Sequence, residues 1–289
     1  MIDIIREKLR AYGAANRLEE EAATKEILQE IALYGLWKAD FFETAVFQGG
    51  TSLRIIHGLP RFSDDLDFML LAPDRDFDWS PYLRQLLETF EVFGIKSEAR
   101  LKGAMDRRIR AAVIKDSSIV GQLELGFADR RPDRKINIKL EIDVEPPAHS
   151  QDTWTLLDFP RDYEVRHQDL SSNFALKIHA LLCRGFLKGR DWYDFSWYVS
   201  IGVLPNLPHL RAALMQYGPW SDHTNLMVDG AWLEMELRRK IGSVNWSDAR
   251  SDVHRFLRPD DLKSLELWAE RFFLAKLEKL IASLRLSAP

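Results

Sequence analysis

The sequence has almost no cysteine, no long apolar run and no excess of positive charge, and each shortage excludes a class of protein. Cys183 is the only cysteine among 289 residues, so no disulfide can form within one chain, as is typical of a reducing compartment. No apolar run approaches the roughly 18 residues that a membrane-spanning helix needs. A net charge of −4 excludes a uniformly basic coat for nucleic acid, so an RNA contact would need a local patch.

The overall composition is that of a folded protein. Hydrophobic residues make up 46% of the chain, which is enough for a sizeable core in one large or two modest domains. The first residues, through Lys8, alternate charged and apolar side chains and lack the apolar core of a signal peptide. We therefore expect a cytoplasmic protein with no membrane partner.

The periodicity of the apolar residues predicts an α+β half followed by a helical half. Strands are predicted at 43–48, 65–71, 109–114, 120–127 and 136–144. Helices are predicted at 2–11, 17–37, 51–57, 81–93, 172–184, 190–200, 208–216, 230–240 and 261–285. We expect a mixed sheet flanked by helices over residues 1–165 and a helical bundle over residues 166–289.

Gly49, Gly50, Thr51 and Ser52 lie between a predicted strand and a predicted helix. Glycines at such a junction let the backbone approach a phosphate, and the first turn of the helix offers free N–H groups. Thr51 or Ser52 could add a hydroxyl donor, and the sequence leaves open which of them does. These residues are the first candidates for binding a nucleotide.

Asp65 and Asp67 are two residues apart on a predicted strand, so both side chains point to one face. Such carboxylates repel each other unless a cation lies between them, and Mg²⁺ is a hard ion that prefers oxygen and is delivered with phosphates. We expect two Mg²⁺ ions here, with Mn²⁺ as an alternative, to stabilise the attacking and leaving oxygens of an in-line displacement. Arg61 and Ser63, in the preceding loop, are further candidates for binding the nucleotide.

Glu141 and Asp143 share one face of the predicted strand at 136–144. Either carboxylate, on a strand beside the aspartate pair, would complete a site of three acids and could act as general base on the attacking hydroxyl. We prefer Glu141, and Asp143 stays the alternative metal ligand.

Lys177 and Arg184 share one face of a predicted helix, and Asp191 and Asp194 lie one turn apart at the start of the next. The short connection makes a helical hairpin that can set the two cations against the two carboxylates. Lys177 is the preferred contact to a triphosphate, because a compact ammonium neutralises the charge of a transferring phosphoryl group. For Arg184, Asp191 and Asp194, nucleotide binding and structural ion pairing are both open.

Two basic clusters, at 107–110 and 130–135, stand out in an acidic chain. Clusters of this kind are either solvated turns or contacts to the phosphates of an RNA.

Taken together, these elements resemble the AbiEii/AbiGii nucleotidyltransferase family, the toxins of type IV toxin–antitoxin pairs, within the polymerase-β-like nucleotidyltransferase superfamily. The resemblance is carried by the stretches at 47–54, 60–68, 138–147, 175–184 and 188–195. The last ninety or so residues match only in being helical.

The resemblance implies a Mg²⁺-dependent nucleotidyltransferase whose first domain carries the catalytic fold. It implies phosphate binding by Gly50 and Thr51, Mg²⁺ binding by Asp65 and Asp67, a third acid at Glu141, nucleotide contact at Lys177 and a later acidic motif at Asp191 and Asp194. The serine usual after the glycine pair is threonine here. Known relatives add nucleotides to tRNA 3′ ends, so an NTP substrate, an RNA acceptor, in particular tRNA, and a cognate antitoxin are implied.

Two alternatives keep the same site. The acceptor could be a protein side chain or a small molecule, which the net acidic charge favours. The chain could also be a nucleotide-binding module without catalysis, although every acid that the chemistry needs is present.

Overall fold

The computed structural model describes residues 2–102, 108–116, 118–123, 135–223 and 225–287. The chain divides into two compact units, which we describe separately. The first, here the α/β unit, comprises Met1–Pro146 and Thr153–His167. The second, here the helical unit, comprises Pro147–Asp152 and Gln168–Pro289.

A sheet with helices beside it makes up the first part of the chain. Its strands are β1 Ala45–Gln48, β2 Asp65–Leu70, β3 Ser97–Lys102, β4 Ile109–Asp116, β5 Ile136–Asp143, β6 Asp152–Leu157 and β7 Tyr163–Gln168. Its α-helices are α1 Ile2–Tyr12, α2 Arg17–Trp37, α3 Gly49–His57, α4 Ser80–Val92 and α5 Ile119–Leu123. A 3₁₀ turn at Phe41–Glu43 precedes β1.

The strand order across the sheet is β3-β4-β5-β2-β1-β7-β6. The central strand β2 runs antiparallel to β1 and parallel to β5. On β5 the isoleucines and Leu140 are buried, while the side chains between them are half-buried or exposed, so the predicted alternation is confirmed. The expected α+β class, a mixed sheet with flanking helices followed by helices alone, is also confirmed.

Helices alone make up the second part of the chain after β7. They are α6 Leu170–Cys183, α7 Gly189–Ser200, α8 Leu207–Gln216, α9 Gly230–Gly242, α10 Trp246–His254, α11 Pro259–Leu262 and α12 Glu270–Ser287. Aromatic rings fill the core of this unit, where Trp246 stacks on Phe273 with ring centroids 4.2 Å apart and the buried Trp192 meets both edge-on. Over the described residues, no helix combines the length and the hydrophobicity that a membrane crossing requires.

The structure corrects two of the predicted elements. The strand predicted at 120–127 is wrong where it is described, because Ile119–Leu123 is helical, and 124–127 lie outside the described residues. The buried carboxylate of Asp116 accepts hydrogen bonds from the N–H groups of Ser118 and Ile119 at 3.0 and 3.1 Å, which ends β4 and starts a helical turn. The single helix predicted at 261–285 is broken, because Trp268 is extended and packs against Phe273.

Some elements were not predicted as such. Strands β3, β6 and β7 and helix α10 were not predicted as separate elements, although apolar and polar residues alternate along β7. The predicted helix ending at His57 is confirmed, and Gly58 occupies the left-handed conformation of a C-cap, with φ 70°.

Candidate active site

Two acidic side chains of β2 and one of β5 come together through the parallel pairing of these strands. Asp67 lies opposite Glu141, and Asp65 lies opposite Lys139. Paired strands are about 4.8 Å apart, so side chains opposite each other on one face are immediate neighbours. The pairing therefore brings three carboxylates and one ammonium together on one face of the central sheet, with Asp143 farther along the same face.

The backbone of the glycine pair lies directly against this face. Gly49 has φ +77°, and a Cβ at its position would lie 2.6 Å from Oδ2 of Asp67. A side chain at residue 49 would therefore both strain the backbone and displace the aspartate. Gly49 also begins α3, so the N–H groups of its first turn are close to Asp67.

Arg61 supports the glycine pair from the protein interior. Its guanidinium is buried, with 2% of the residue exposed, and donates a hydrogen bond to the carbonyl of Phe62 at 3.0 Å. A Cβ on Gly50 would lie 2.5 Å from Nη2 of Arg61 and 3.0 Å from Oγ of Ser63. This geometry favours Arg61 as a residue that positions the loop, and it places Ser63 beside the same glycine.

The two hydroxyls after the glycine pair differ in their surroundings. Thr51 and Ser52 are both fully buried. The hydroxyl of Thr51 donates to the carbonyl of Asp65 at 2.5 Å, which ties the start of α3 to the start of β2. The Ser52 hydroxyl has no hydrogen-bond partner among the described residues, so its hydrogen-bonding capacity is not used within the fold.

Lys139 is a member of this site that the sequence analysis did not select. Its Nζ lies 2.5 Å from Oε1 of Glu141. Partial burial works to lower the pKa of the ammonium, but the hydrogen bond and charge of Glu141, followed by the charges of Asp65 and Asp67, raise it above its ordinary value. The alternation of β5 was the available signal, because it puts residues 139 and 141 on one face.

Asp143 has a different set of partners from Glu141. Its Oδ2 lies 2.7 Å from Arg108, and its Oδ1 accepts the N–H of Glu145 at 2.9 Å. Burial raises the pKa of the Asp143 carboxyl above its ordinary value, against the opposing charge of Arg108. Of the two candidates for the third carboxylate, Asp143 is thus engaged in an ion pair at the end of β5, and the register favours Glu141.

The donor set suits a hard divalent cation, because it consists of carboxylate oxygens on one sheet face. As the side chains are placed, however, no three acidic, histidine or cysteine side chains of the described residues are close enough to hold one ion. In the structure the carboxylate of Glu141 forms an ion pair with Lys139 instead. The strand register nevertheless makes Asp65, Asp67 and Glu141 neighbours on this face.

The second predicted cluster lies in the helical unit, on the hairpin of α6 and α7. Nζ of Lys177 lies 2.8 Å from Oδ2 of Asp194, which is fully buried. Arg184 forms an ion pair with Asp191, which is also buried. The hairpin therefore sets the two cations against the two carboxylates. Of the basic clusters, residues 107 and 130–134 lie outside the described residues.

The chain is similar to one protein family and to solved structures. The family model of the nucleotidyl transferase AbiEii toxin of type IV toxin–antitoxin systems matches residues 31–275. A candidate nucleotidyltransferase from H. pylori has a similar structure, with a TM-score of 0.50 and 16% identity over 92% of this chain and 94% of that one. JHP933 from Helicobacter pylori is 15% identical, with a TM-score of 0.48 over 92% and 91% of the two chains. No curated protein matches the chain.

Proposed function

This chain belongs to the AbiEii nucleotidyltransferase toxin family of type IV toxin–antitoxin systems, and from that premise we propose a reaction for its site. In the proposed reaction the 3′-hydroxyl of an RNA, in particular tRNA, attacks the α-phosphorus of an NTP, so that a nucleoside monophosphate joins the RNA and pyrophosphate leaves. Mg²⁺ is the proposed cofactor. Membership of the family implies an NTP substrate and an antitoxin partner, and we propose that the protein acts in the cytoplasm.

The observation that carries the proposal is the contact of Gly49 with Asp67, beside the pairing of Asp67 with Glu141. It joins a phosphate-binding backbone to a group of carboxylates, which is what transfer of a nucleotidyl group requires. Bound Mg²⁺ would neutralise the phosphate oxygens and stabilise the charge that develops on the attacking and leaving oxygens. Asp65 and Asp67 are the proposed ligands, with Glu141 as the third acid.

The residues of the chain have separate tasks in this proposal. The N–H groups at the start of α3 and the Ser52 hydroxyl bind phosphate oxygens. Glu141, released from Lys139, accepts the proton of the attacking 3′-hydroxyl or completes the metal site. Lys139 is then free to pair with a phosphate. Lys177 contacts the triphosphate, and Asp194 fixes its ammonium in place.

Label transfer tests the proposal. The protein is incubated with Mg²⁺, total tRNA and each labelled NTP in turn, and label is expected on RNA with at least one NTP. Asp65→Asn and Asp67→Asn should each lower transfer by about a hundredfold or more, because each removes a carboxylate that would hold the metal ion against the phosphates. Asp64→Asn is the matched control: Asp64 pairs with Lys25 at 2.9 Å, next to the site but outside it.

The identity of the acceptor has an alternative to RNA. The net charge of −4 favours a protein or small-molecule acceptor. Label that survives RNase treatment and disappears on protease treatment would show that the acceptor is a protein and not RNA. Toxicity of the Asp65→Asn variant equal to that of the wild type would instead indicate a binding module without catalysis.

A further inference from the structure

The helical unit contains a pocket of about 290 Å³ that none of the proposed catalytic carboxylates lines. It lies where the α6–α7 hairpin turns and where α9 ends and α10 begins. Three cationic side chains line it: Arg184, Lys188 and Lys240. Binding pockets start at about 300 Å³, so this one has room for a single phosphorylated nucleotide unit and for little more.

Among the described residues, one of the three cations has a carboxylate partner and the other two do not. Arg184 pairs with Asp191, which also lines the pocket. The side-chain ammonium groups of Lys188 and Lys240 form no ion pair or hydrogen bond with a described residue, although both residues are only partly exposed. The remaining acid of the lining, Asp248, is exposed. The pocket therefore has a surplus of positive charge in a place where water has limited access.

The surroundings of Lys188 show the same surplus. Burial lowers the pKa of its ammonium, and the charges of Arg190, Arg184 and Lys177 lower it further, while Asp191 alone raises it. A cation in this setting is stabilised by a bound anion. The dipole of α10 adds to the effect, because its N-terminal residues Asn245 and Asp248 line the same pocket.

An exposed aromatic ring stands at the mouth of the pocket. Phe186 lines it and is 68% exposed. The guanidinium of Arg184 lies 5.3 Å from the centre of its ring. An aromatic face beside cationic side chains is the arrangement on which single-stranded nucleic acids stack a base while their phosphates are neutralised.

We propose that this pocket binds a phosphodiester of the acceptor RNA strand, with Lys188 and Lys240 on the phosphate and Phe186 stacked on the adjoining base. The inference rests on the RNA acceptor of the proposed function, and it adds the part of the protein that holds the strand. Arg184 is already neutralised by Asp191, so it orients the ring and the phosphate and adds little net charge.

Equilibrium binding of a fluorescently labelled, single-stranded RNA oligonucleotide tests the proposal. The full chain is used without metal or NTP, so that the measurement does not depend on transfer. Lys188→Gln combined with Lys240→Gln should weaken binding by about tenfold and should lower the slope of log K against log salt by roughly 0.7, the value for one lost phosphate contact on a single strand. Phe186→Ala should weaken binding by about tenfold with the salt slope unchanged.

The matched control removes two lysines elsewhere in the helical unit. Lys263 and Lys279 are exposed and do not line the pocket, so Lys263→Gln with Lys279→Gln changes the net charge equally. Equal weakening by both double variants would overturn the proposal, because the effect would then be one of overall charge. Unchanged RNA binding by the pocket variants would overturn it as well.

Competition with free ATP and with inorganic phosphate separates a strand from a free nucleotide. We expect the oligonucleotide to bind more tightly than either ATP or inorganic phosphate. In the pocket variants we expect this difference in affinity to disappear. If the pocket variants lose ATP binding but keep RNA binding, the pocket binds free nucleotide and the proposal of an RNA strand in it is overturned. If transfer is absent but this binding pattern holds, the catalytic proposal alone has failed.

Discussion

Nζ of Lys139 lies 2.5 Å from Oε1 of Glu141, so the acid expected to face a metal ion is paired with a residue of its own strand. The ammonium and a divalent cation compete for one carboxylate, since both are attracted to the same oxygens. The strength of metal binding at this face therefore depends on a lysine as well as on the acids.

Lys139→Met is expected to tighten Mn²⁺ binding by several-fold, because the competing cation is removed while the carboxylates stay. Mn²⁺ is suited to the measurement, which is a titration followed by electron paramagnetic resonance without nucleotide. Lys135→Met is the control, since Lys135 precedes the same strand and pairs with Glu98. Equal or weaker Mn²⁺ binding by Lys139→Met would show that Lys139 does not compete with the metal.

Glu141→Gln and Asp143→Asn should have opposite effects on metal binding and on stability. Glu141→Gln should weaken Mn²⁺ binding and lower transfer, with little loss of stability. Asp143→Asn should cost about 1–3 kcal/mol of unfolding free energy, because Arg108 loses its partner. Urea denaturation and Mn²⁺ titration of both variants check this. If Asp143→Asn proves to be the variant that loses Mn²⁺, the third carboxylate has been assigned to the wrong residue.

Gly49→Ala and Gly58→Ala form a matched pair at positive φ. Each places an alanine in the left-handed backbone conformation, at φ +77° for residue 49 and +70° for residue 58. We expect each to cost about 1 kcal/mol of unfolding free energy. Only the Cβ at residue 49 meets Asp67, whereas nothing lies within 4 Å of one at residue 58. We expect similar stability losses in urea, and a loss of Mn²⁺ binding and transfer in Gly49→Ala alone. Normal activity in Gly49→Ala would separate the glycine pair from the metal site.

Stability should depend on pH through Glu30 of α2, which pairs with Lys8 at 3.2 Å. Burial raises its pKa from 4.5 to about 7. Between these two values the folded state holds a proton that the unfolded state has already lost. The protonated Glu30 therefore contributes its full share of the unfolding free energy below pH 4.5, and that share is lost as pH rises to about 7. The loss is about 3 kcal/mol.

The glutamine of a Glu30→Gln variant does not titrate, so this variant should not show the fall in unfolding free energy that Glu30 causes. The measurement is the difference in unfolding free energy between wild type and variant, taken at several pH values, in which the contributions of other titrating groups cancel. We expect the variant to gain on the wild type as pH rises. A constant difference over this range would contradict the raised pKa.

Local features of the sequence predicted the parts of the site that depend on neighbouring residues. The period of a strand puts Asp65 and Asp67 on one face, and the period of a helix puts Lys177 and Arg184 on one face. The helical hairpin then pairs Lys177 with Asp194 in the structure. Each of these relationships spans a few residues, so the backbone geometry of one element or one turn decides it.

The register between strands could not be predicted from the sequence. Asp67 faces Glu141 because β2 and β5 pair in parallel, over seventy residues apart in the chain. The same pairing brings Lys139 to the carboxylates and leaves Asp143 to Arg108. Patterns within one strand give its faces but say nothing about which residue of another strand lies opposite.

The sequence by itself determined the α+β class, the glycine pair before a helix and the two aspartates on one strand face, because local backbone periodicity decides all three. Only the tertiary structure decided that Lys139 is among the carboxylates, that Arg61 is buried beneath Gly50, and that Lys188 and Lys240 line one pocket with Arg184. These relationships arise when distant segments pack together, and packing depends on the whole chain.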